Sequence, residues 1–373
     1  MVKIVLTGLN GYGGHFIVPL LESDGTYQLS AVVSTNPKKS PYYEKLKEEK
    51  VRFYNSLEDC LQEEKLDMAL ITTPVQVHFR EVMCALEHGL NVYCEKPLAP
   101  KAEHCRQVQE CAAKRGLYAA VGFQWSHSKA VTDLKNDILT GKYGKLKKIK
   151  TMALWNRPKS YYTESNWKGR YWGKDKESIW ESVISNAAVH FLHNLLFLAG
   201  GEMAESATPI HISGEAYRAH KIETFDTACM KMKTEEDCQL FYLATLSAKK
   251  NHAPEFTVEC ENARIFYPVS DEKEIMAVKK ESGERIFYGS PDAGRFEHFK
   301  KVIRAMEGNE PLTCDAGTVL PVAGVIDQMM ENVEVHSFPE EAVRENGDML
   351  WVEGLEEFMK KCYEEEKMFA EAD

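Results

Sequence analysis

The first hundred residues alternate between short, continuous apolar runs and longer runs in which apolar residues recur at helical spacing. Four apolar runs are typical of buried strands, namely residues 2–8, 27–34, 68–73 and 90–94. Helical patterns separate them, for example at residues 15–21 and 77–88. Strands that alternate with helices predict a parallel sheet with right-handed crossover connections.

Beyond residue 205 the pattern changes to alternation of apolar and polar residues. Stretches that predict strands of a large sheet are residues 228–233, 239–247 and 256–260. Further helices are predicted near residues 295–307, 318–335 and 355–372. A chain of 373 residues exceeds the usual size of a single hydrophobic core. We therefore predict an α/β protein of two domains, residues 1–123 and residues 124–373.

Composition and charge exclude several classes of protein. Hydrophobic residues make up 44% of the chain and charged residues 28%, and no apolar run approaches the ~20 residues that a membrane span needs. The formal net charge of −11 argues against a nucleic-acid partner, because phosphate binding needs a clustered basic face. The basic stretch at residues 145–150 alternates, and we interpret it as a strand with one lysine-rich face, such as a solvated edge.

The beginning of the chain and its cysteines bear on the cellular compartment. The sequence enters a strand pattern at Val2, without the longer apolar region and small-residue cleavage site of a signal peptide. Ten cysteines are scattered singly, without a C-x-x-C pair, and are expected to be reduced thiols. These features predict a cytoplasmic protein without a membrane partner.

A glycine-rich turn follows the first predicted strand and precedes a helical pattern. This is the context in which such a turn is typical of dinucleotide binding, with the pyrophosphate on the helix N-terminus. Gly8 would make the tight turn, and Gly13 would allow close packing of helix on strand. Asn10 stands where a second glycine is usual, although asparagine tolerates positive φ and Gly11 adds backbone freedom. A plain turn remains the alternative interpretation.

The end of the second predicted strand bears on the choice of dinucleotide. An Asp or Glu at this place would bind the ribose hydroxyls of NAD, and the sequence has none there. The chain instead has Ser34, Thr35, Lys38 and Lys39, whose hydroxyls and ammonium groups suit a 2′-phosphate. The loop therefore favours NADP over NAD, unless both lysines are ordinary loop residues.

A lysine held by its neighbours ends the strand at residues 90–94. In Glu95-Lys96-Pro97 the proline restricts the lysine before it, and a lysine-proline peptide is one of the few that can be cis. Ligands of parallel sheets bind beyond the carboxyl ends of the strands, where the glycine-rich turn, Thr73-Pro74 and Lys96 all fall. The alternative is a surface turn with a solvated lysine.

With these motifs in order, the chain resembles the Gfo/Idh/MocA oxidoreductase family. The resemblance rests on the glycine-rich turn, on Thr73-Pro74 followed by His78, and on Glu95-Lys96-Pro97. It continues through Gly122-Phe123-Gln124, and through residues 141–145, and so covers nearly the whole chain. Each motif is short, but their order and spacing together are specific.

The resemblance implies an N-terminal Rossmann domain and a C-terminal α/β domain with a large, open, mostly antiparallel sheet. It also implies hydride transfer between NAD(P) and a secondary alcohol of a sugar, sugar derivative or cyclitol, and assembly into a homodimer or homotetramer. The residues expected to contact the dinucleotide are Gly8, Asn10, Gly11, Tyr12, Gly13, Ser34, Thr35, Lys38, Thr73, Pro74, His78, Glu95 and Lys96.

The helical pattern at residues 185–196 carries the candidate acid–base group. Family members use a histidine of a D-x-x-x-H helix as proton acceptor and donor, and the matching residue is His190. Histidine suits this role because it titrates near neutral pH. Asn186 replaces the usual Asp, and an amide cannot stabilise imidazolium as a carboxylate does. His193 and Asn194 complete a polar face.

Other side chains near this helix are candidates for binding substrate or metal. Aromatic and basic residues are concentrated at positions 155–172, where aromatic rings could stack on a sugar and cations could bind hydroxyls or a carboxylate. A folded loop with aromatic anchors is the alternative. Histidines at i,i+3 without a carboxylate ligand do not predict a metal site. The expected substrate contacts are Lys96, Arg157, Tyr162, Trp167, Arg170, Asn186 and His190.

The expected chemistry follows from Lys96 and His190. Lys96 would orient the alcohol and stabilise negative charge on its oxygen, while His190 would remove the hydroxyl proton. Two rival functions share this fold. One is a redox-neutral enzyme that retains its cofactor and drives elimination, hydrolysis or epimerisation by transient oxidation. The other is a non-catalytic sensor of dinucleotide and sugar, which would need no base.

Overall fold

The computed structural model describes residues 1–174, 176–294 and 296–372. In chain order, the helices α1 to α12 are Gly14–Leu21, Tyr43–Glu48, Leu57–Glu63, Val75–Glu87, Ala102–Arg115, Gln124–His127, Lys129–Leu139, Lys159–Thr163, Val189–Leu198, Glu297–Met306, Leu320–Asn332 and Leu355–Glu365. The strands β1 to β17 are Val2–Thr7, Tyr27–Val33, Arg52–Tyr54, Met68–Ile71, Asn91–Cys94, Ala119–Val121, Leu146–Leu154, His211–Arg218, Thr227–Lys233, Gln239–Thr245, Glu255–Cys260, Ala263–Tyr267, Ile275–Lys279, Arg285–Gly289, Val335–Ser337, Val343–Asn346 and Met349–Val352.

The first structural unit contains a six-stranded parallel sheet in the order β3-β2-β1-β4-β5-β6. Strand β1 is central, and Leu6 pairs with Val32 on one side and with Leu70 on the other. The apolar, β-branched runs of the sequence form these strands because they are covered on both faces. The predicted parallel sheet is confirmed, and its strands end at the turns that carry the candidate cofactor residues.

A later segment of the chain returns to this unit. Residues 1–127 and 294–320 form one compact unit, and residues 128–293 and 321–373 form the other. The apolar face of α10 explains the return, because Phe299 and Val302 are buried in one core with Phe16 and Tyr27. The predicted single boundary after residue 123 does not include the later segment, residues 294–320, in the first unit. Arg295, the predicted first residue of this helix, lies outside the described residues.

The second unit is built on a nine-stranded sheet in the order β14-β13-β12-β11-β7-β10-β9-β8-β15. The pairs β7/β10 and β8/β15 are parallel, and the other neighbours are antiparallel. The predicted fold class, a parallel dinucleotide-type sheet followed by a large, mostly antiparallel sheet, is confirmed.

Strand β7 lies in the middle of this sheet, so the prediction of a solvated edge for residues 145–150 was wrong. Its lysine-rich face is instead covered by the C-terminal helix. Lys148 and Lys150 both pair with Glu366, and Lys150 also donates a hydrogen bond to the Tyr363 carbonyl. An alternating lysine pattern predicts the strand, but it cannot distinguish water from a partner carboxylate on the polar face.

Both faces of strand β10 are covered, and its alternation fixes what lies on each. Phe241 and Leu243 pack in the core cluster that contains Met359 of α12. Tyr242 points the other way, and its hydroxyl donates to the carbonyl of Ala188, the residue before α9. Successive strand residues face opposite sides of a sheet, so β10 holds the start of α9 over the face opposite α12.

Two further expectations concern reduced cysteines and the lack of a membrane span. The ten cysteines are thiols rather than disulfides in the structure, and each except Cys111 is buried. Within residues 1–174, 176–294 and 296–372, no helix combines the length and the apolar character needed to cross a bilayer.

Candidate active site

The glycine-rich turn after β1 packs directly against the end of β4. Gly8 has φ of +87°, and a Cβ there would lie 2.7 Å from the Thr73 main-chain nitrogen. A Cβ on Gly13 would collide with the Thr72 hydroxyl oxygen and lie 2.8 Å from the Gly8 carbonyl oxygen. Gly11 differs, because its Cβ would find its nearest neighbour at 4.0 Å. Gly8 and Gly13 are therefore required by packing, and Gly11 borders open space.

The chemistry of this turn fits a dinucleotide pyrophosphate. The main-chain N–H groups of Asn10 and Gly13 donate no hydrogen bond to any described part of the chain. Gly13 precedes α1, whose N-terminal N–H groups and dipole favour an anion. Open donors beside an exposed glycine form a cradle of the kind that diphosphates occupy.

We predict that Gly13→Ala weakens dinucleotide binding and lowers stability, whereas Gly11→Ala does neither to a comparable degree. Overpacking of this kind costs on the order of 1–3 kcal/mol of unfolding free energy, because Thr72 and Gly8 must move. Thermal unfolding and fluorescence titration with NAD(P)H measure the two effects. Equal behaviour of the two variants would contradict the packing role of Gly13.

The loop after β2 is held by Asn10. Its side-chain amide donates to the Asn36 carbonyl at 2.8 Å and to the Ser34 hydroxyl at 3.4 Å. The Ser34 hydroxyl also accepts the Asn36 N–H. Thr35 and Lys38 remain exposed at the loop surface. Asn10 therefore links the pyrophosphate turn to the loop predicted to discriminate the ribose, a role that the asparagine-for-glycine departure did not reveal.

A buried carboxyl group, missed by sequence reasoning, connects two of the strand ends. Glu81 on α4 accepts hydrogen bonds at 2.8 Å from the Thr7 hydroxyl of β1 and from the Thr73 hydroxyl after β4. Burial raises the pKa of Glu81, and the two hydroxyl donors oppose that rise. An acidic residue on an amphipathic helix is usually solvated, so its pattern gave no signal of this role.

His78 joins the loop after β4 to the loop after β5. Its ring nitrogens lie 2.6 Å from the Thr73 carbonyl oxygen and 2.8 Å from the Pro97 carbonyl oxygen. Burial lowers the pKa of His78, and the positive charge of Lys96 lowers it further, against the effect of the two carbonyl groups. Both ring nitrogens thus face main-chain carbonyls, so His78 positions these loops.

Lys96 lies in the turn after β5, and its main chain is hydrogen-bonded to Glu95. The Lys96-Pro97 peptide is cis, as the sequence allowed. The Lys96 N–H donates to the Glu95 carboxylate at 3.3 Å, and that carboxylate is buried and accepts from the Tyr93 hydroxyl. A Cβ on Gly122 would lie 2.6 Å from the Tyr93 hydroxyl and 2.9 Å from Glu95, which explains the glycine there. Glu95 is thus part of the support beneath Lys96.

Two other predicted cofactor residues flank this region. The Tyr12 hydroxyl accepts a hydrogen bond at 2.7 Å from the Gln124 amide, and its ring packs against Phe16. Pro74 is exposed and immediately precedes α4. Both therefore belong to the turns at the carboxyl ends of the strands.

In the second unit, the helix predicted at residues 185–196 is interrupted. Val183–Ala187 form a π-helical turn, and α9 starts at Val189. Ala188, with φ of −104° and ψ of 12°, separates them, and Tyr242 holds its carbonyl. Single π-turns are frequent at functional sites. A regular period of 3.6 residues did not predict this break.

The interruption divides the four polar residues of the predicted face. Asn186 and His190 are partly exposed, while His193 and Asn194 are 1% and 2% exposed. The His193 ring packs on Phe197, with 5.8 Å between ring centroids. Asn186 and His190 are therefore the polar pair that a substrate could reach, and His193 and Asn194 belong to the interior.

Glu181 supplies a carboxylate beside Asn186. The Asn186 amide nitrogen donates to Glu181 Oε1 at 2.9 Å and to the Tyr161 hydroxyl at 3.1 Å. Glu181 is 2% exposed, and its other oxygen accepts the Gly169 N–H. An aspartate at position 186 would face Glu181 as a second carboxylate, and one of the two would have to take up a proton. Asparagine at 186 is thereby explained.

The backbone before Asn186 is strained in a way that fixes Glu181. Trp180 has φ of +51°, a conformation that is costly for a bulky residue, and it is 4% exposed. The Ser185 hydroxyl donates to the Trp180 carbonyl at 2.7 Å and accepts the Ser182 N–H at 2.8 Å. These bonds hold the turn that carries Glu181 into the π-helical segment.

The aromatic and basic segment gives a different set of contacts from the predicted one. Tyr161, rather than Tyr162, lies beside Asn186, whereas Tyr162 is 8% exposed and packs on His220. Adjacent tyrosines cannot be assigned to the interior or the surface from sequence, so the contact of Tyr161 with Asn186 was not foreseen, and Tyr162 as a substrate contact stays a prediction. Trp167 is partly exposed and Arg170 is exposed.

Two cations flank the Tyr161 ring. Lys168 Nζ lies 3.6 Å from its centroid and Arg157 Cζ lies 5.6 Å from it. The Arg157 main chain is held by His220, whose ring donates a hydrogen bond to the Arg157 carbonyl. The other ring nitrogen of His220 lies 2.9 Å from Asp226. Lys168, like Tyr161 and Glu181, was absent from the predicted contacts.

The structure offers no candidate metal centre within the described ranges. There, no three or more His, Cys, Asp or Glu side chains are grouped so that they could hold an ion.

The comparison with protein families identifies the first part of the chain. Residues 2–123 match the model of the Gfo/Idh/MocA family, described as an oxidoreductase family with an NAD-binding Rossmann fold. This segment carries the glycine-rich turn, Thr73-Pro74, His78 and Lys96. Over this segment the chain is similar to that family, in agreement with the resemblance seen in the sequence.

Curated relatives match parts of the chain. A 1-carboxy-3-chloro-3,4-dihydroxycyclohexa-1,5-diene dehydrogenase of Comamonas testosteroni is 27% identical over 53% of this chain and 48% of its own length. An inositol 2-dehydrogenase of Salmonella paratyphi B is 33% identical over 24% of this chain and 27% of its own. A 2,7-anhydro-N-acetylneuraminate hydratase of Mediterraneibacter gnavus is 25% identical over 43% and 41%. The chain thus spans about half or less of the length of these relatives.

A solved structure extends the likeness to both units. The WlbA dehydrogenase of Bordetella pertussis, in complex with NADH and UDP-GlcNAcA, superposes with a TM-score of 0.71 and 18% sequence identity. The match covers 87% of this chain and 94% of that chain. At this identity the match establishes a shared fold, including the large second sheet.

Proposed function

We propose that this protein is an NAD(P)-dependent oxidoreductase that transfers a hydride between nicotinamide and a secondary alcohol of a sugar, sugar derivative or cyclitol. The observation that carries the proposal is the combination of an open pyrophosphate cradle at Gly11 with Lys96 held by Glu95. In the second unit, His190 and Asn186 are partly exposed on a mostly buried helical segment. The relatives named as dehydrogenases support the reaction class.

The roles of the chain's residues follow from their chemistry. The nicotinamide, when bound, accepts or returns the hydride. Lys96 donates to the alcohol oxygen and stabilises the negative charge that develops on it. His190 holds the hydroxyl proton during oxidation and gives it back during reduction. Asn186 donates its amide N–H groups to Glu181 and to the Tyr161 hydroxyl, and so holds Tyr161 close to the turn that precedes His190.

One observation favours a second candidate function. The relative from Mediterraneibacter gnavus is named a hydratase, and addition of water leaves no net change of oxidation state. A redox-neutral enzyme would use the same Lys96 and His190 and would return the hydride to the substrate within one turnover. The two candidates differ in whether reduced nicotinamide accumulates.

The test is the absorbance of reduced nicotinamide when the purified chain meets NAD⁺ or NADP⁺ and a panel of sugars, sugar acids and cyclitols. We expect reduction over many turnovers. A single burst equal to the enzyme concentration would support the redox-neutral candidate instead. Absence of any absorbance change, together with absence of dinucleotide binding by fluorescence, would contradict both.

We further propose NADP as the preferred dinucleotide, because exposed Lys38 and Thr35 replace the acidic residue that binds the NAD ribose. Lys38→Ala is expected to reduce kcat/KM for NADP⁺ about tenfold, a typical loss for one charge-assisted hydrogen bond, and to leave kcat/KM for NAD⁺ within twofold. Steady-state kinetics with both dinucleotides measure this. The exposed Lys45→Ala variant of α2 serves as the control, and an equal effect on both dinucleotides would contradict the proposal.

We also propose that the protein forms a homodimer or homotetramer, as the family resemblance implies. Helix α12 covers the face of β10 that bears Phe241, so a contact through the sheet would use other strands. Edge strand β14 exposes Phe287 by 57%. Light scattering after gel filtration tests the assembly, and Phe287→Ser tests whether β14 takes part.

A further inference from the structure

We propose that Arg157 and Lys168 bind an anionic group of the substrate, a carboxylate or a phosphate, on the part of the molecule away from the reacting alcohol. The inference rests on the proposed function and names the substrate class, an acidic sugar or sugar phosphate. It begins with the arrangement of both cations around the ring of Tyr161.

The two cations are close to one ring and lack carboxylate partners. Lys168 Nζ lies 3.6 Å and Arg157 Cζ 5.6 Å from the Tyr161 centroid. Neither side chain forms an ion pair within 4.0 Å with a carboxylate in the described part of the chain, although thirteen other lysines there do. Partly buried charges are normally paired, so this arrangement calls for an anion.

The electrostatic balance of the cluster is positive. Burial lowers the pKa of Lys168, and the charge of Arg157 lowers it too, while Glu181 opposes both effects. Glu181 carries a single negative charge, so it cannot balance both cations, and its oxygens also accept from the Gly169 N–H and the Asn186 amide. A bound anion would relieve the repulsion between Arg157 and Lys168.

The cluster is connected to the candidate catalytic residues and is held in place. The Tyr161 hydroxyl accepts a hydrogen bond from Asn186, four residues before His190. His220 fixes the Arg157 carbonyl, and Gly169, next to Lys168, is fixed by Glu181. The Tyr161 ring lies within cation–π distance of both cations. Positioned cations beside an aromatic face suit a sugar that bears an acidic group.

The test compares three related probes by titration calorimetry on the full chain: glucose, glucuronate and glucose 6-phosphate. We expect one or both anionic probes to bind at least about tenfold more tightly than glucose, the contribution of one charge-assisted hydrogen bond. The glucuronate and phosphate arms distinguish the two sources of the anion. Equal affinity for all three probes, or no binding of any, would overturn the proposal.

The variants locate the effect. Lys168→Gln and Arg157→Gln are expected to abolish the preference for the anionic probes, and Lys168→Arg is expected to retain it. Lys174→Gln, an exposed residue of the same segment, is the matched control. If the control lost the preference equally, the anion would be bound by general surface charge. Thermal unfolding of each variant verifies that it is folded.

Binding is measured without turnover, so this proposal and the proposed function fail separately. Binding of anionic probes without any nicotinamide reduction would leave the anion site standing and remove the dehydrogenase. Efficient oxidation of neutral sugars, with no preference for acidic ones in binding or kcat/KM, would support the dehydrogenase and remove the anion site.

Discussion

Replacement of Lys96 by methionine is expected to lower kcat/KM for alcohol oxidation by about 10²–10³-fold, the usual cost of removing one donor to a developing oxyanion. Methionine is unbranched and shorter than lysine by only one heavy atom, and it removes the charge. The loss should fall mainly on kcat, because the dinucleotide cradle at Gly11 does not depend on the ammonium group. Steady-state kinetics and fluorescence titration with NAD(P)H separate the two contributions.

The position of Lys96 makes this experiment specific. Its main-chain N–H is bonded to Glu95, whose carboxylate also accepts from Tyr93, so the backbone should stay in place when the side chain changes. Lys65→Met, an exposed substitution in the same unit, is the matched control. If Lys96→Met retained turnover within twofold of the unaltered protein, Lys96 would have no role at the reacting oxygen.

The first unit was largely predictable because its signals are local. A buried parallel strand is a continuous apolar run, and the turn between β1 and α1 needs Gly8 at positive φ within the same ten residues. The Glu95-Lys96-Pro97 motif is likewise contiguous. The return of α10 was not predictable, since an amphipathic helix shows that it has an apolar face but not which core that face will join.

The second unit was predicted less completely because its site depends on distant pairs. In the sequence, Asn186 is recognisable only as a substitution of the usual aspartate. The carboxylate beside it belongs to Glu181, which lies outside the D-x-x-x-H pattern. The break at Ala188 depends on Tyr242, more than fifty residues later in the chain. Tyr161 and Tyr162 cannot be told apart from sequence, and only the structure shows that Tyr162 packs on His220.

The site residues that the sequence did not predict have one physical property in common. The residues that sequence reasoning proposed, such as Lys96 and His190, are those whose own side chains would act on a substrate. Those it missed act through a neighbour: Glu81 through two threonine hydroxyls, and Glu181 through the Asn186 amide. A supporting carboxylate needs no fixed spacing from the group it supports, so it leaves no motif.

Replacement of His190 by glutamine is expected to lower kcat/KM for alcohol oxidation by about 10²–10⁴-fold, the range that a positioned acid–base group contributes. A base must be unprotonated to accept the hydroxyl proton, so oxidation that uses a histidine as its base should rise with pH. The variant should lack this rise. For the reduction of the ketone the sign is opposite, because the imidazolium must donate. The pH profiles of kcat/KM in both directions measure the effect.

His193→Gln provides the comparison that separates catalysis from folding. His193 is 1% exposed and packs on Phe197 in the same helix, so its replacement should reduce the free energy of unfolding while the pH profile keeps its shape. His190 is partly exposed, and its replacement should change the profile with a smaller effect on stability. Should His190→Gln keep the pH-dependent rise, the proton acceptor would lie elsewhere. Glu181 and Tyr161, which already share the Asn186 amide, would then be the groups to replace next.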